Sequence, residues 1–262
     1  MISLLMKTIF KKLDIPIVTY SFFLLSFLCG YFKNVIFIFL IVLFHELGHV
    51  IITHLFHYKI IKVELYPFGG ITRIDKPINS SINKEILIVS AGVIFQAFLF
   101  LFLFLFQACF IPRDYELFQF YNLNIMLFNL VPIIPLDGSV LLHAILEKFF
   151  SFEKALKYYQ IFSLLFLWGF VILNIFIFQN YFICVVLSWQ FILLKRQEKY
   201  LIHRFYLERY LKYFPYQKIE NEHHENYHVL KKNRRHFFYS EGKYKNEHEI
   251  LSNMFDFPFN IW

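Results

Sequence analysis

Apolar residues fall into six long blocks, at 17–31, 35–52, 86–110, 123–146, 159–178 and 181–194, separated by short polar or mixed stretches. Blocks of this length with few charges read as membrane-crossing helices. The first is short for a ~30 Å hydrocarbon core and is expected to be extended by its flanks. Residues 1–15 form a short amphipathic lead with three lysines, expected at the interface, and Lys33-Asn34 reads as a tight turn into the second block. Residues 62–74 break the helical pattern. Their β-branched and aromatic residues around Pro67 and Gly69-Gly70 predict strands joined by a turn. Residues 112–116 read as a polar loop, and Gln179-Asn180 leave room only for a tight hairpin.

The fourth block is interrupted. Asn129, Pro132, Pro135, Asp137 and Gly138 lie within ten residues of one another. Such breaks persist at membrane depth only where the backbone is buried in protein or lines a wet cavity.

Composition agrees with the pattern: 58% of the 262 residues are hydrophobic, 37 are Phe and 17% are charged, against about a quarter charged in a soluble domain. Phe-rich runs such as 98–106 read as lipid-facing bulk. The three cysteines form no CxxC pair, so neither a thiolate zinc site nor a disulfide framework is suggested. The net charge of +7 is explained by topology. With six spans, the N-terminus, the 53–85 and 147–158 loops and the tail share one side. The first three of these carry eleven Lys and Arg, while the opposite loops carry only Lys33 and Arg113. Both termini are therefore expected in the cytoplasm, and no direct nucleic-acid partner is expected. In the tail, Lys231, Lys232, Arg234 and Arg235 read as a solvated basic face. The expected fold is an all-α polytopic membrane protein: six transmembrane helices over 1–194, a short membrane-associated β-loop, and a small cytoplasmic α/β tail over 195–262.

The chemistry sits in the second block, at His45-Glu46-Leu47-Gly48-His49. Residues four apart share a helix face, so both His can address one metal ion, and Glu46 is placed to handle a proton on a water that the ion activates. His-Glu-x-x-His is the zinc metalloprotease pattern. A catalytic zinc needs a third protein ligand, and the broken fourth block offers Asp137. From the outer ends of their blocks, His45 lies ten residues in, ~15 Å, and Asp137 fourteen, ~21 Å if helical. Both fall in the inner half of the membrane. An Asp at a span centre costs roughly 2.5–3.5 kcal/mol on insertion scales, which a bound metal offsets. Asn129 is an uncharged group able to bind unwound substrate backbone.

The order HELGH, then PFGG at 67–70, SAGVIFQ at 90–96 and NLVPIIPLDG at 129–138 resembles the site-2 protease family of intramembrane metalloproteases, and more narrowly its sporulation branch. The resemblance implies His45, His49 and Asp137 as ligands of one Zn²⁺ and Glu46 as general base. It implies substrate contacts at Asn129 and Pro135 and at the β-loop residues Phe68, Gly69 and Gly70. It also implies a membrane-associated substrate of the pro-sigma-K kind, inhibitory membrane partners, and a place in the mother-cell (outer forespore) membrane. Val93 and Gln96 stand where the family often has Pro and Asn, so its proline kink does not carry over. Sporulation members end in a cystathionine-β-synthase-type nucleotide-binding domain. Residues 195–262 would be a shortened version, with ATP as the ligand the resemblance raises.

Two rival readings fit these residues less well. A metal-holding scaffold or receptor without protease activity would have no use for Glu46. A di-iron desaturase needs about eight clustered His, whereas here His54 and His57 read as ordinary interfacial residues and the others are scattered.

Overall fold

The computed structural model describes residues 12–66, 69–174, 181–216, 218–222, 226–240 and 242–256. The expectations for 1–11, Pro67-Phe68 and the 179–180 hairpin lie outside them. The chain forms two compact units, one holding residues up to Lys76 and Leu87–Val131, the other Pro77–Ile86 and everything from Pro132.

In the first unit, β1 (Leu13–Asp14) is followed by α1 (Ile17–Leu28) and α2 (Phe32–Leu55). The reversal between the helices is at Gly30, not at Lys33-Asn34. Gly30 takes φ +78°, a region other residues avoid, and Tyr31 N–H donates back to Ser26 O at 2.8 Å. Lys33 and Asn34 instead open α2, where Lys33 pairs with Asp114 and Asn34 donates to Tyr121 Oη at 2.9 Å.

The expected strands are β2 (Lys59–Tyr66) and β3 (Gly69–Asp75). They pair antiparallel, Val63 opposite Thr72 and Leu65 opposite Gly70, with β1 parallel to β2 on the other side. An irregularity between Ile60 and Lys62 shifts the alternation, so Ile60 and Val63 both reach the inner face. There they pack with Val50, Leu47 and Leu13. This apolar contact seats the sheet on α2 beside the HELGH segment.

Next come α3 (Ile82–Leu105), which is unbroken, and α4 (Pro112–Leu130). Residues 112–116 are therefore helical, not a loop. Pro112 stands where its missing N–H costs nothing and Asp114 complements the helix N-terminus. Phe98, Phe102 and Phe104 are exposed along α3.

In the second unit, the expected break falls between α4 and α5 (Asp137–Phe149). Val131 and Leu136 are extended, and Ile133 and Ile134 are buried within the break. The fourth block is thus two helices. Then follow α6 (Phe152–Asn174) and α7 (Tyr181–Leu211), which runs well past residue 194. A parallel β4 (Lys218–Glu222) and β5 (Arg234–Ser240) and an antiparallel β6 (Lys243–Asn246) make a second sheet, closed by α8 (Glu247–Phe255). Asn246 caps α8, its Oδ1 accepting from Glu249 N–H at 3.0 Å. Phe152, Phe205, Tyr206, Leu230, Phe238, Ile250 and Leu251 form the core beneath this sheet.

The basic run is not a solvated face. Lys232 is 4% exposed, its Nζ 2.9 Å from Glu147 and 3.1 Å from Glu85. Lys231 and Arg234 both bind Glu220. Burial alone would pull the Lys232 ammonium down, but the two carboxylates outweigh it and hold the group above its ordinary range.

Among the described residues, α2, α3 and α6 are long and apolar enough to cross a membrane, and α1 is a shorter apolar helix. The fold is mostly helical with two small sheets, and the chain is an integral membrane protein.

Candidate active site

His45, Glu46 and His49 lie in the C-terminal half of α2 and are 5%, 5% and 8% exposed. Helical spacing stacks the two imidazoles on one face, ring centroids 4.7 Å apart and near perpendicular. Each ring is anchored through Nδ1. His45 Nδ1 meets Gln96 Oε1 at 2.9 Å, and His49 Nδ1 meets Ile88 O at 2.8 Å. A carbonyl oxygen only accepts, so Nδ1 of His49 carries the proton, and with Gln96 Oε1 as acceptor so does that of His45. In the neutral rings both Nε2 atoms then present lone pairs, and they face each other at 3.0 Å. Two lone pairs at that distance repel unless a proton or a cation lies between them. That arrangement fits a zinc ion, for which neutral imidazoles oriented by outer hydrogen bonds are common ligands.

The support comes from one stripe of α3. Ile88, Gly92 and Gln96 are four residues apart and share a face. Ile88 supplies the carbonyl and Gln96 the amide. Gly92 supplies space: a Cβ there would lie 2.4 Å from His45 Cε1 and 2.5 Å from His49 Nε2. Gln96 is itself fully buried, and its backbone carbonyl accepts from Asn122 Nδ2 of α4 at 3.1 Å.

Strand β3 covers Glu46. Thr72 Oγ1 donates to Glu46 Oε2 at 2.6 Å, and a Cβ on Gly70 would lie 2.3 Å from Glu46 Cγ and 2.5 Å from Oε1. Gly70 therefore sits in the site through the space it leaves. Gly69, at the start of β3, is half-buried, and Phe68 lies outside the described residues. Asn129 is half-buried in the last turn of α4. Pro135 and Asp137 belong to the second unit, Pro135 exposed in the break and Asp137 half-buried as the first residue of α5.

Sequence reasoning missed Thr72 and the role of Gly92. It singled out Gln96 only as a departure from a pattern. The 88/92/96 spacing was the available signal, and it becomes readable once α3 is known to face α2. A second group of possible ligands, Glu220, Glu222 and His236, lies in the tail. There Glu220 is already bound by Arg234 and Lys231, and His236 is bound to Glu247.

Comparisons with known proteins bear on this geometry. The model of peptidase family M50 matches residues 33–113, which hold α2 from its second residue, both strands of the β-loop and all of α3. The chain is 36% identical over 193 residues to stage IV sporulation protein FB of Bacillus subtilis, covering 71% of this chain and 67% of that protein. It is 32% identical over 166 residues to a zinc metalloprotease of Methanocaldococcus jannaschii, covering 57% of this chain and 48% of that one. The solved site-2 protease from Methanocaldococcus jannaschii has a TM-score of 0.53 and 25% identity, covering 69% of this chain and 87% of the other. The family match takes in the histidine pair, the carboxylate beside it and the helix that orients both rings. Together with the relatives it shows that the chain belongs to peptidase family M50, the site-2 proteases, and is an intramembrane zinc metalloprotease.

Proposed function

We propose that this protein is a six-span endopeptidase with both termini in the cytoplasm, cutting a membrane-associated protein near the cytoplasmic face. The observation that carries the reading is the pair of Nδ1-anchored imidazoles whose Nε2 atoms face each other at 3.0 Å, with Glu46 one residue from His45. His45 and His49 would hold the zinc, with Asp137 as third ligand. Support for Asp137 is its place at the foot of α5 directly after a break, where a carboxylate projects from a helix start. When bound, zinc supplies Lewis acidity, acidifying a water and polarising a peptide carbonyl.

Glu46 takes the proton from the attacking water and passes it to the leaving amine. A helical substrate hides its carbonyls in i→i−4 bonds and must first be unwound. The loop at Phe68, Gly69 and Gly70 would hold the unwound segment extended along β3, with Asn129 and Pro135 contacting its backbone. The likeness to a sporulation protein supports a substrate of the pro-sigma-K kind, held to the mother-cell membrane by its pro-sequence and guarded by inhibitory membrane proteins. ATP is left out of this proposal. Lys231, Lys232, Arg234 and Arg209, the tail cations best suited to phosphate, are already bound to carboxylates.

The test is Glu46→Gln in the full-length protein, co-expressed with a membrane-tethered pro-sequence fusion. Cleavage should fall at least 10²–10⁴-fold, the usual worth of a general base, while zinc stays at the wild-type level. Cleavage at the wild-type rate would sink the reading.

A further inference from the structure

Thr72 stands on the inner face of the β2–β3 hairpin. Val63, its partner across the pair, and Leu65 are 2% and 0% exposed on that face. A hydroxyl among apolar neighbours costs stability unless it is hydrogen-bonded, and this one donates to Glu46 Oε2 at 2.6 Å. Among the described residues Thr72 is the one hydrogen-bond partner of the Glu46 carboxylate. Gly70, two residues earlier and so on the same face, lets the β3 backbone close against the rest of the carboxylate. One oxygen of Glu46 is thereby tied to the strand, and the other is left to take a proton. Among the described residues the sheet runs β1-β2-β3, which places β3 at an edge, paired with β2 alone.

We propose that Thr72 is a positioning residue for the general base: its hydroxyl fixes the Glu46 carboxylate to β3, the strand along which substrate is held. This rests on the protease reading above. A substrate segment registered on β3 is then registered against the base as well, because base and substrate share one backbone. Loss of the hydroxyl frees the carboxylate to turn about its own side-chain torsions. That lowers the fraction of bound substrate facing a correctly aimed base and leaves substrate binding as it was. The expected signature is a fall in kcat with KM unchanged.

The experiment uses the purified full-length protein in detergent, with a membrane-tethered pro-sequence fusion as substrate. Thr72→Val keeps shape and β-propensity but removes the donor. Thr72→Ser restores the donor. Thr72→Val should lower kcat about tenfold or more, the worth of one hydrogen bond to a charged group, with KM and zinc content at wild-type values. Thr72→Ser should return kcat close to wild type. A valine variant with full kcat overturns the proposal, as does a fall in kcat matched by lost zinc, or a serine variant as slow as the valine one. Glu46→Gln, assayed alongside, separates the two levels. If it cleaves as wild type does, the base assignment falls and Thr72 with it. If it is inactive while Thr72→Val is fully active, only the present proposal fails.

Discussion

Two buried polar clusters in this protein look alike by composition and are opposite in electrostatics. Around Glu46, the anchoring hydrogen bonds come from neutral groups: a threonine hydroxyl for the carboxylate, and a glutamine amide and a backbone carbonyl for the two imidazole Nδ1 atoms. Around Lys232, the partners are charged: Glu85 and Glu147 close on the ammonium, and Arg209 and His236 close on Glu247 nearby. The first cluster orients its acid–base groups and leaves their lone pairs turned toward one another. The second uses its charges up internally. Burial of ionisable groups therefore does not by itself mark a site. What marks it is whether the partners cancel the charge or only aim it. By the same criterion the tail group of Glu220, Glu222 and His236 is structural, because Arg234 and Lys231 already cancel Glu220.

The largest effect that would break this comparison is on stability. Lys232→Met leaves Glu85 and Glu147 buried without their shared cation, and removing one member of a buried ion pair costs about 3–5 kcal/mol. Hydrogen exchange at the backbone of β5 and α8 should report the loss, since both pack in the core that Phe238, Ile250 and Leu251 build. Replacing both glutamates by glutamine in the same chain should return most of it. A Lys232→Met protein as protected as wild type would mean that the charges do not hold this unit together.

The contrast also explains what could be read from sequence. The HELGH segment announces itself because two His and a Glu are costly in an apolar run without a metal, and the strand pair at 62–74 because its β-branched residues surround Gly69-Gly70. The break before Asp137 is legible from its prolines. The Lys232 cluster was not legible. Glu85, Glu147 and Lys232 come from three separate stretches, and a lysine in a basic run reads as solvated until its partners are seen. Residues 112–116 misled in the same way, since Arg113, Asp114 and Glu116 read as loop although Pro112 is a good helix opener. Gly30 was passed over because the charged Lys33 drew the turn toward itself, although only the glycine tolerates φ +78°.

A smaller effect sharpens the other side. If neutral partners aim the imidazoles, removing one should weaken metal binding without unfolding the helix pair. Gln96→Leu keeps the volume but takes the acceptor from His45 Nδ1. Loss of such an outer partner typically costs 10–100-fold in metal affinity. Zinc affinity measured by chelator competition should fall by that factor, while the thermal midpoint of the zinc-free protein holds or rises. An unchanged affinity would show that α2 and the apolar packing alone orient the rings.

The smallest effect separates the clusters by pH. Burial pushes the Glu247 carboxyl up, but the His236 hydrogen bonds and the Arg209 guanidinium outweigh it and hold the group below the ordinary carboxylate range. A carboxyl lowered in the folded state is bound by fewer protons there than in the unfolded chain. Its contribution is therefore complete above the unfolded value near 4.5 and is lost as pH falls through the folded one. Melting of the full-length protein followed at β5 and α8 should decline on acidification below that value. In Glu247→Gln the decline should be shallower, because one of the groups that must protonate is gone. The remaining slope belongs to other carboxylates of the same unit, so the difference is modest. Identical slopes in the two proteins would place Glu247 outside the charge balance of the tail and leave Arg209 to its hydrogen bonds with Asn79 and the Lys231 and Arg234 carbonyls.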